Sequence, residues 1–370
     1  MSRQETLTPR ERITAVFRGQ PLDMIVWQPR IFFWYEVNKA AGTLPGLYEH
    51  ASIIDLFDDL SASPRSYHFF NNCVRSVWRG DVDVKVTDDA QYVKTTYTTP
   101  NGKLSQVEGK TSHGQAKIAV EYAVKSVHDF EILTYVLEHE DFFFDQEEYS
   151  RIAEVLGERT VSSVNVPWLP LQRLTVEYMG LQNTILALWK HRSDVESLLS
   201  TMEENNNRRF NLLKRTPVEI INFGDNIDQD LISPSMFERY ALPYYRSRTT
   251  EFHEAGKICT SHWDGKFHSL LPFVRRTGLD ALECVAPRPM GDVDLQELHC
   301  ALGDMVLMDG IPATYFLPYV SPDSLKDYAI KVLGTFSPRL ILGIGDMLPA
   351  DGEIERVRMI SNIVQDYVVQ

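Results

Sequence analysis

The sequence predicts an α/β protein, a (β/α)8 TIM barrel with an N-terminal helical segment and a β-hairpin insertion, and three observations carry that prediction. The first is a repeated pattern in which an apolar run ends on a residue able to bind metal or move protons. Val218–Phe223 ends at Gly224-Asp225-Asn226, the run from Gly256 ends at His262-Trp263-Asp264, and Gly278–Leu282 ends at Glu283-Cys284. Met305–Met308 ends at Asp309-Gly310, and Leu340–Leu342 continues through Gly343-Ile344-Gly345 to Asp346. Barrels of this class gather their chemistry at the C-terminal ends of their strands. The second observation is spacing: the 20 residues between His262 and Glu283 hold one helix and two short loops, the length of a compact crossover between parallel neighbours. The third is rhythm, since strand and helix patterns alternate after about residue 160.

Taken in order, Thr8-Pro9-Arg10-Glu11 is a capping box with proline at the first helical position, opening a helix through about Phe17. Met24–Gln28 reads as the first barrel strand. The block from about Val82 to Val124 has a different grammar: Gln91–Tyr97 alternates, Thr99–Lys103 turns the chain, and alternation resumes at Leu104. This is the hairpin excursion. Helical periodicity covers Asp129–Leu137, Thr160–Val166 reads as a strand ending at Pro167-Trp168, and Ser233 and Ser321 each cap a helix opened by proline. No internal repeat or low-complexity segment is visible, and residues 1–370 read as one decorated domain.

Composition bounds the function. A hydrophobic content of 44% over 370 residues suffices for a large core. No run reaches the roughly 18 to 20 apolar residues of a membrane span, and Met1-Ser-Arg-Gln-Glu5 lacks the apolar core of a signal peptide, so a cytoplasmic location is expected. Cys73, Cys259, Cys284 and Cys300 show no CxxC spacing, which argues for reduced thiols rather than a disulfide framework or zinc ribbon. The net charge of −14 is spread along the chain and disfavours a nucleic-acid partner.

The strand tips supply the candidate residues. His262, Asp225 and Asp309 are the candidate acid–base groups; Asp225, Asp309 and Asp346 have helix capping as the alternative role. Glu283 stands out because an unpaired carboxylate between Leu282 and Cys284-Val285 is costly to bury. Cys284 is either a ligand or a small buried hydrophobe, and Cys259, inside its strand, reads as core. Trp27, Phe32, Phe33, Trp34, Tyr35 and Trp168 either pack the barrel mouth or stack on a flat substrate. Arg30 follows the first strand as a candidate for a substrate carboxylate or a salt bridge, and Asn226 joins the substrate-facing set.

Thr8–Ile13, Leu231-Ile-Ser-Pro-Ser-Met-Phe-Glu-Arg-Tyr-Ala-Leu-Pro-Tyr244, Gly256–Gly265 and Ile341–Asp346 together resemble the uroporphyrinogen decarboxylase superfamily over nearly the whole chain. Its decarboxylases hold a many-carboxylate porphyrinogen with an arginine-rich loop. The matching stretch Asn38–Tyr48 carries Lys39 and Thr43 where the two arginines would stand, and lysine cannot make arginine's bidentate carboxylate pair. A second branch, the corrinoid-dependent methyltransferases, uses zinc held by a His-x-Cys pair and a late cysteine. Here His262-Trp263-Asp264 and Asp346 occupy those places, with Glu283 and Cys284 between, all donor types that zinc accepts. The resemblance therefore implies methyl transfer between a small O- or N-methylated substrate and a corrinoid carried by a partner protein, assisted by zinc, in a monomer or homodimer. A porphyrinogen-type decarboxylase and a non-catalytic ligand-binding relative are the alternatives.

Overall fold

The computed structural model describes residues 6–111 and 117–369. The chain divides into two compact units, one formed by Met1–Asn71, Tyr149–Val166 and Val218–Gln370, the other by Asn72–Glu148 and Pro167–Pro217.

The first unit is built on seven parallel strands: β1 (Val26–Trp27), β2 (Ser163–Val166), β3 (Ile220–Phe223), β4 (Ile258–His262), β5 (Ala281–Val285), β6 (Val306–Pro312) and β7 (Leu340–Gly345). Their spatial order is β1-β7-β6-β5-β4-β3-β2, so every chain step after β2 moves to the adjacent position. Near-continuous burial along the strands is what a parallel sheet covered on both faces requires. The ladder has seven strands where eight were expected. Between its two edges runs the segment around Pro64: the Ser63 N–H donates to the Trp27 carbonyl at 2.9 Å, and the Ser66 hydroxyl donates to the Val161 carbonyl at 2.5 Å. Proline has no N–H to give a ladder, which explains why this stave is held by single bonds instead of strand pairing.

Helix α1 (Pro9–Arg18) plugs the N-terminal end of the strands. The expected capping box forms between Thr8 and Glu11, and Gly19 ends the helix at φ 62°, a left-handed position suited to glycine. Its Ile13, Ala15 and Val16 pack with Val26, Val161, Ile220, Ala281, Val306, Met308 and Ile341 in one apolar cluster. The first residues of the strands therefore make core, leaving the last residues available for chemistry.

In the second unit the expected hairpin is present as Tyr92–Thr99 paired with Gly102–Lys110 about the Pro100-Asn101 turn. It is the middle of a four-stranded antiparallel sheet, flanked by Asp83–Asp88 and Lys117–Glu121. Val74–Trp78 and Glu140–Phe144 form a separate two-stranded pair, and helices Phe130–Glu138, Leu181–Lys190 and Arg192–Leu213 complete the unit. Among the described residues, no helix is long and apolar enough to cross a membrane.

Candidate functional site

The C-terminal ends of β3 to β7 carry an unusual concentration of backbone strain. Five non-glycine residues have positive φ among the described residues, and four of them lie here: Asn226 (44°), Cys284 (68°), Asp309 (85°) and Asp346 (70°). Such conformations cost of order 1–3 kcal/mol each and persist where surrounding bonds hold them. At Cys284 the holding bond is visible: the β5–β6 register shifts between Leu282 and Val285, and the Cys284 N–H donates to Asp309 Oδ2 at 2.8 Å. Gly343 on β7 makes room for Asp309, because a Cβ there would stand 2.2 Å from its Oδ1.

A buried charge network lies beneath this rim. Arg65 donates to Glu283 Oε1 at 2.5 Å and to Asp309 Oδ1 at 2.7 Å, joining two carboxylates that are 1% and 0% exposed. The other oxygen of Glu283 accepts from Asn222 Nδ2 at 2.5 Å and lies 3.5 Å from His262 Nδ1. Asn222 is itself fixed by Thr260 and Asn165. Burial alone raises the Glu283 pKa, but Arg65 and His262 outweigh it and hold the carboxyl well below the usual range. At Asp309 burial wins over Arg65, and the pKa is raised. For His262 burial pulls down while the Cys284 and Glu283 partners push up, leaving the imidazole at about 10.

Arg30 is a buried cation with unmade hydrogen bonds. It is 7% exposed, and its Nε and Nη1 are buried with no hydrogen-bond partner. Arg65 Nε is in the same condition. Burial lowers the Arg30 pKa, yet the nearby Tyr67, Cys284, Glu283 and Asp309 hold it well above the ordinary arginine value. Unmade hydrogen bonds of a buried charged group cost more than those of a neutral one, so Arg30 is kept here at a cost to the fold.

The other sequence candidates divide. Asp264 has its pKa raised by burial and by the charge of Asp346, with His262 opposing. Asp225 is fully buried and accepts from the Tyr245 hydroxyl at 2.6 Å; Tyr245 also bonds Ser261, to which Trp263 donates. That arrangement makes Asp225 an anchor of the rim, and Asn226 beside it takes one of the strained backbone positions. The aromatics turn to packing, because their polar atoms are already committed: Trp27 Nε1 to Ser361, Trp34 Nε1 to the Gly352 carbonyl and the Tyr35 hydroxyl to the Ala51 carbonyl. Trp34 and Tyr35 lie on the helix Phe32–Ala41 and not on a strand end. Arg65 and Asn222 were not singled out in the sequence. Asn222 gave a signal, as the polar residue inside the apolar run Ile220–Phe223, whereas Arg65 gave none.

Below Glu283 the cylinder is filled. Gln28, Arg65, Ser66, Asn222, Thr260 and Met308 surround a space of about 10 Å³, enough for one water. A substrate therefore has to approach from the strained rim. Of the candidate metal ligands, His262 stands beside Glu283, at 3.5 Å, and beside Cys284. Among the described residues, the group that brings three ligand atoms within 4.8 Å of one another is His253, Cys259 and Asp280 instead.

The uroporphyrinogen decarboxylase family model matches residues 170–367, which span β3 to β7 and their tips. The chain belongs to the uroporphyrinogen decarboxylase family. As a family member it shares its fold with a methyltransferase from Methanosarcina mazei, at 12% identity and TM-score 0.63, over 97% of this chain and 99% of that one. A putative vitamin-B12 independent methionine synthase from Listeria monocytogenes aligns over 94% and 98% of the two chains, at 10% identity and TM-score 0.44. No curated protein matches this family member in sequence.

Proposed function

We propose that the chain is a corrinoid-dependent methyltransferase, moving a methyl group between a small O- or N-methylated substrate and a corrinoid held by a separate protein. The observation that carries the reading is the pairing of an imidazole with two carboxylates at the open rim. Burial and the charge of Asp346 raise the Asp264 carboxyl, with His262 the opposing positive group. To hold a zinc ion, His262, Asp264 and Asp346, with Cys284, would have to draw closer together than they stand here. Glu283 orients rather than ligates, since both its oxygens are already taken by Arg65 and Asn222. Bound there, zinc supplies Lewis acidity to the heteroatom that carries the methyl group.

The chain's own residues do the rest. Arg30 binds an anionic substituent of the substrate, which selects for a carboxylate on the methyl donor. Glu283, locked by Arg65 and Asn222, fixes the ring of His262 from its Nδ1 side. Asp309, whose Oδ1 accepts from Arg65 and whose Oδ2 accepts from the Cys284 N–H, keeps the strained Cys284 turn in place at the rim. The fold shared with the M. mazei methyltransferase over almost the full length of both chains is consistent with this reading.

A decarboxylase reading draws on Arg30 as well, because a substrate carboxylate is common to both. Against it, Lys39 donates to the Tyr35 hydroxyl at 3.0 Å and Thr43 to Asn38 Oδ1 at 2.7 Å, so both positions where arginines are wanted are occupied locally. One experiment separates the two. Purified protein is assayed with and without zinc, once with a panel of methoxylated aromatic acids and methylamines plus a reduced corrinoid protein, once with uroporphyrinogen alone. Zinc-dependent methyl-cobalt absorbance that is lost in His262→Ala and Asp264→Asn is expected. Metal-independent turnover of uroporphyrinogen, with no methylation of the corrinoid, would transfer the conclusion to the decarboxylase.

A further inference from the structure

We propose that His253, Cys259 and Asp280 form a second metal-binding site, for a borderline divalent cation such as zinc, at the N-terminal end of the same strands. It stands independently of the methyl-transfer reading.

The site follows from local topology. The helix Leu242–Glu254 carries His253 in its last turn, and the chain turns through Gly256 at φ 73° into β4, where Cys259 is the second residue. Asp280 immediately precedes β5. Because β4 and β5 are parallel neighbours paired at Thr260 and Ala281, Asp280 falls beside Cys259. Two bonds lock that position: the Asp280 N–H donates to the Cys259 carbonyl at 2.8 Å, and the Cys259 N–H donates to Asp280 Oδ2 at 2.7 Å. His253 Nε2 reaches the same carboxylate oxygen at 2.8 Å. One nitrogen, one sulfur and one oxygen ligand atom then lie within 4.8 Å of one another.

Those are the three ligand types zinc takes, and three protein ligands with one open position is a complete catalytic-type or exchangeable site. Cys259 is a free, fully buried thiol, whereas the side chains of His253 and Asp280 are 40% and 34% exposed. The cluster therefore has a dry floor and a wet mouth, which gives an ion a way in and leaves water as the fourth ligand. Tetrahedral bonds of about 2.1 Å put ligand atoms about 3.4 Å apart. His253 has to retreat from Asp280 by only a fraction of an ångström, and a half-exposed side chain at a helix end has that freedom. The backbone N–H of Cys259 on Asp280 is the outer support that metal-bound carboxylates usually have. Without a metal, the His253–Asp280 pair is a partly exposed ion pair worth at most about 1 kcal/mol, and the sulfur beside it does nothing.

His262 and Glu283 lie three residues further along the two strands, about 10 Å away at the usual rise per residue. A metal count on the whole protein would therefore mix two sites, and the test has to separate them. Cobalt(II) is titrated into the full-length Cys284→Ser protein, in which the cysteine at the strained rim is gone, and thiolate-to-cobalt absorption is followed in the near ultraviolet. One equivalent with that band is expected. Adding Cys259→Ser should abolish the band, and adding His253→Ala, a change at an exposed position, should weaken cobalt binding roughly 100-fold. The proposal is overturned by absence of the band in Cys284→Ser, by its survival after Cys259→Ser, or by unchanged affinity in a folded His253→Ala variant.

Discussion

The two ends of the seven parallel strands are built from the same backbone and opposite physics. At the N-terminal end Val26, Ile220, Ala281, Val306 and Ile341 meet Ile13 and Val16 of α1 in an apolar cluster, with one capping box and left-handed backbone at glycines such as Gly19 and Gly256. At the C-terminal end, only a few residues further on, Arg65, Glu283 and Asp309 are buried as ions, Arg30 is buried with unmade bonds, and Asn226, Cys284, Asp309 and Asp346 are in left-handed conformations. A sequence chosen for stability alone would not place these groups there, because each breaks a local rule. The contrast teaches that the fold is held together at one end so that strain and charge can be kept at the other.

The largest expected effect comes from breaking the network that holds the strained end. Arg65→Met leaves Glu283 and Asp309 buried without their cation, and removing one partner of a buried pair costs about 3–5 kcal/mol. Urea unfolding should show that loss at an unchanged slope. Adding Glu283→Gln and Asp309→Asn to Arg65→Met should restore most of the stability by removing the uncompensated charges, but no methyl transfer. If the triple variant is as unstable as Arg65→Met, packing rather than charge holds the rim.

Arg30→Met should cost less stability. Arg65 makes its bonds inside the protein, whereas Arg30 Nε and Nη1 make none, so the substitution gives up only the attraction to Glu283 and Asp309. Binding should suffer instead. Losing a hydrogen bond to a charged ligand costs about 1.5–3 kcal/mol, which is about tenfold or more in KM for a carboxylate-bearing methyl donor, with a neutral donor little affected. A large loss of stability with equal KM for charged and neutral donors would make Arg30 structural and erase the difference between the two arginines.

The same contrast decides what was legible in the sequence. The strand tips were readable because a polar group ending an apolar run is a local signal, and Glu283 was marked by the cost of burying it between apolar neighbours. The first helix was readable from Thr8 and Glu11, since a capping box spans four residues. Arg65 was not, because its partners lie 218 and 244 residues away, and nothing local distinguishes it from a surface arginine. Its segment also escaped as a stave: Pro64 prevents ladder pairing, so Ala62–Ser66 shows no alternation and the sheet has seven strands in place of eight. The aromatics from Phe32 to Tyr35 lie soon after the first strand, on the helix Phe32–Ala41, capped at Gly42 with φ 67°. There tertiary packing, through Trp34 to Gly352 and Tyr35 to Ala51, overrides weak helix propensity.

Ile341→Val gives the smallest expected effect, and it tests the other end of the comparison. Ile341 is fully buried at the second position of β7, paired with Val26 on one side and Met308 on the other, inside the cluster closed by α1. Removing one methylene there should cost about 0.5–1.5 kcal/mol by lost transfer energy and a small void. The strand leaves this cluster before it reaches Gly343, where it makes room for Asp309, so KM and metal content should stay at their wild-type values. Should Ile341→Val instead change KM as much as Arg30→Met does, the apolar end would be setting the geometry of the charged one, and the division of labour along the strands would fail.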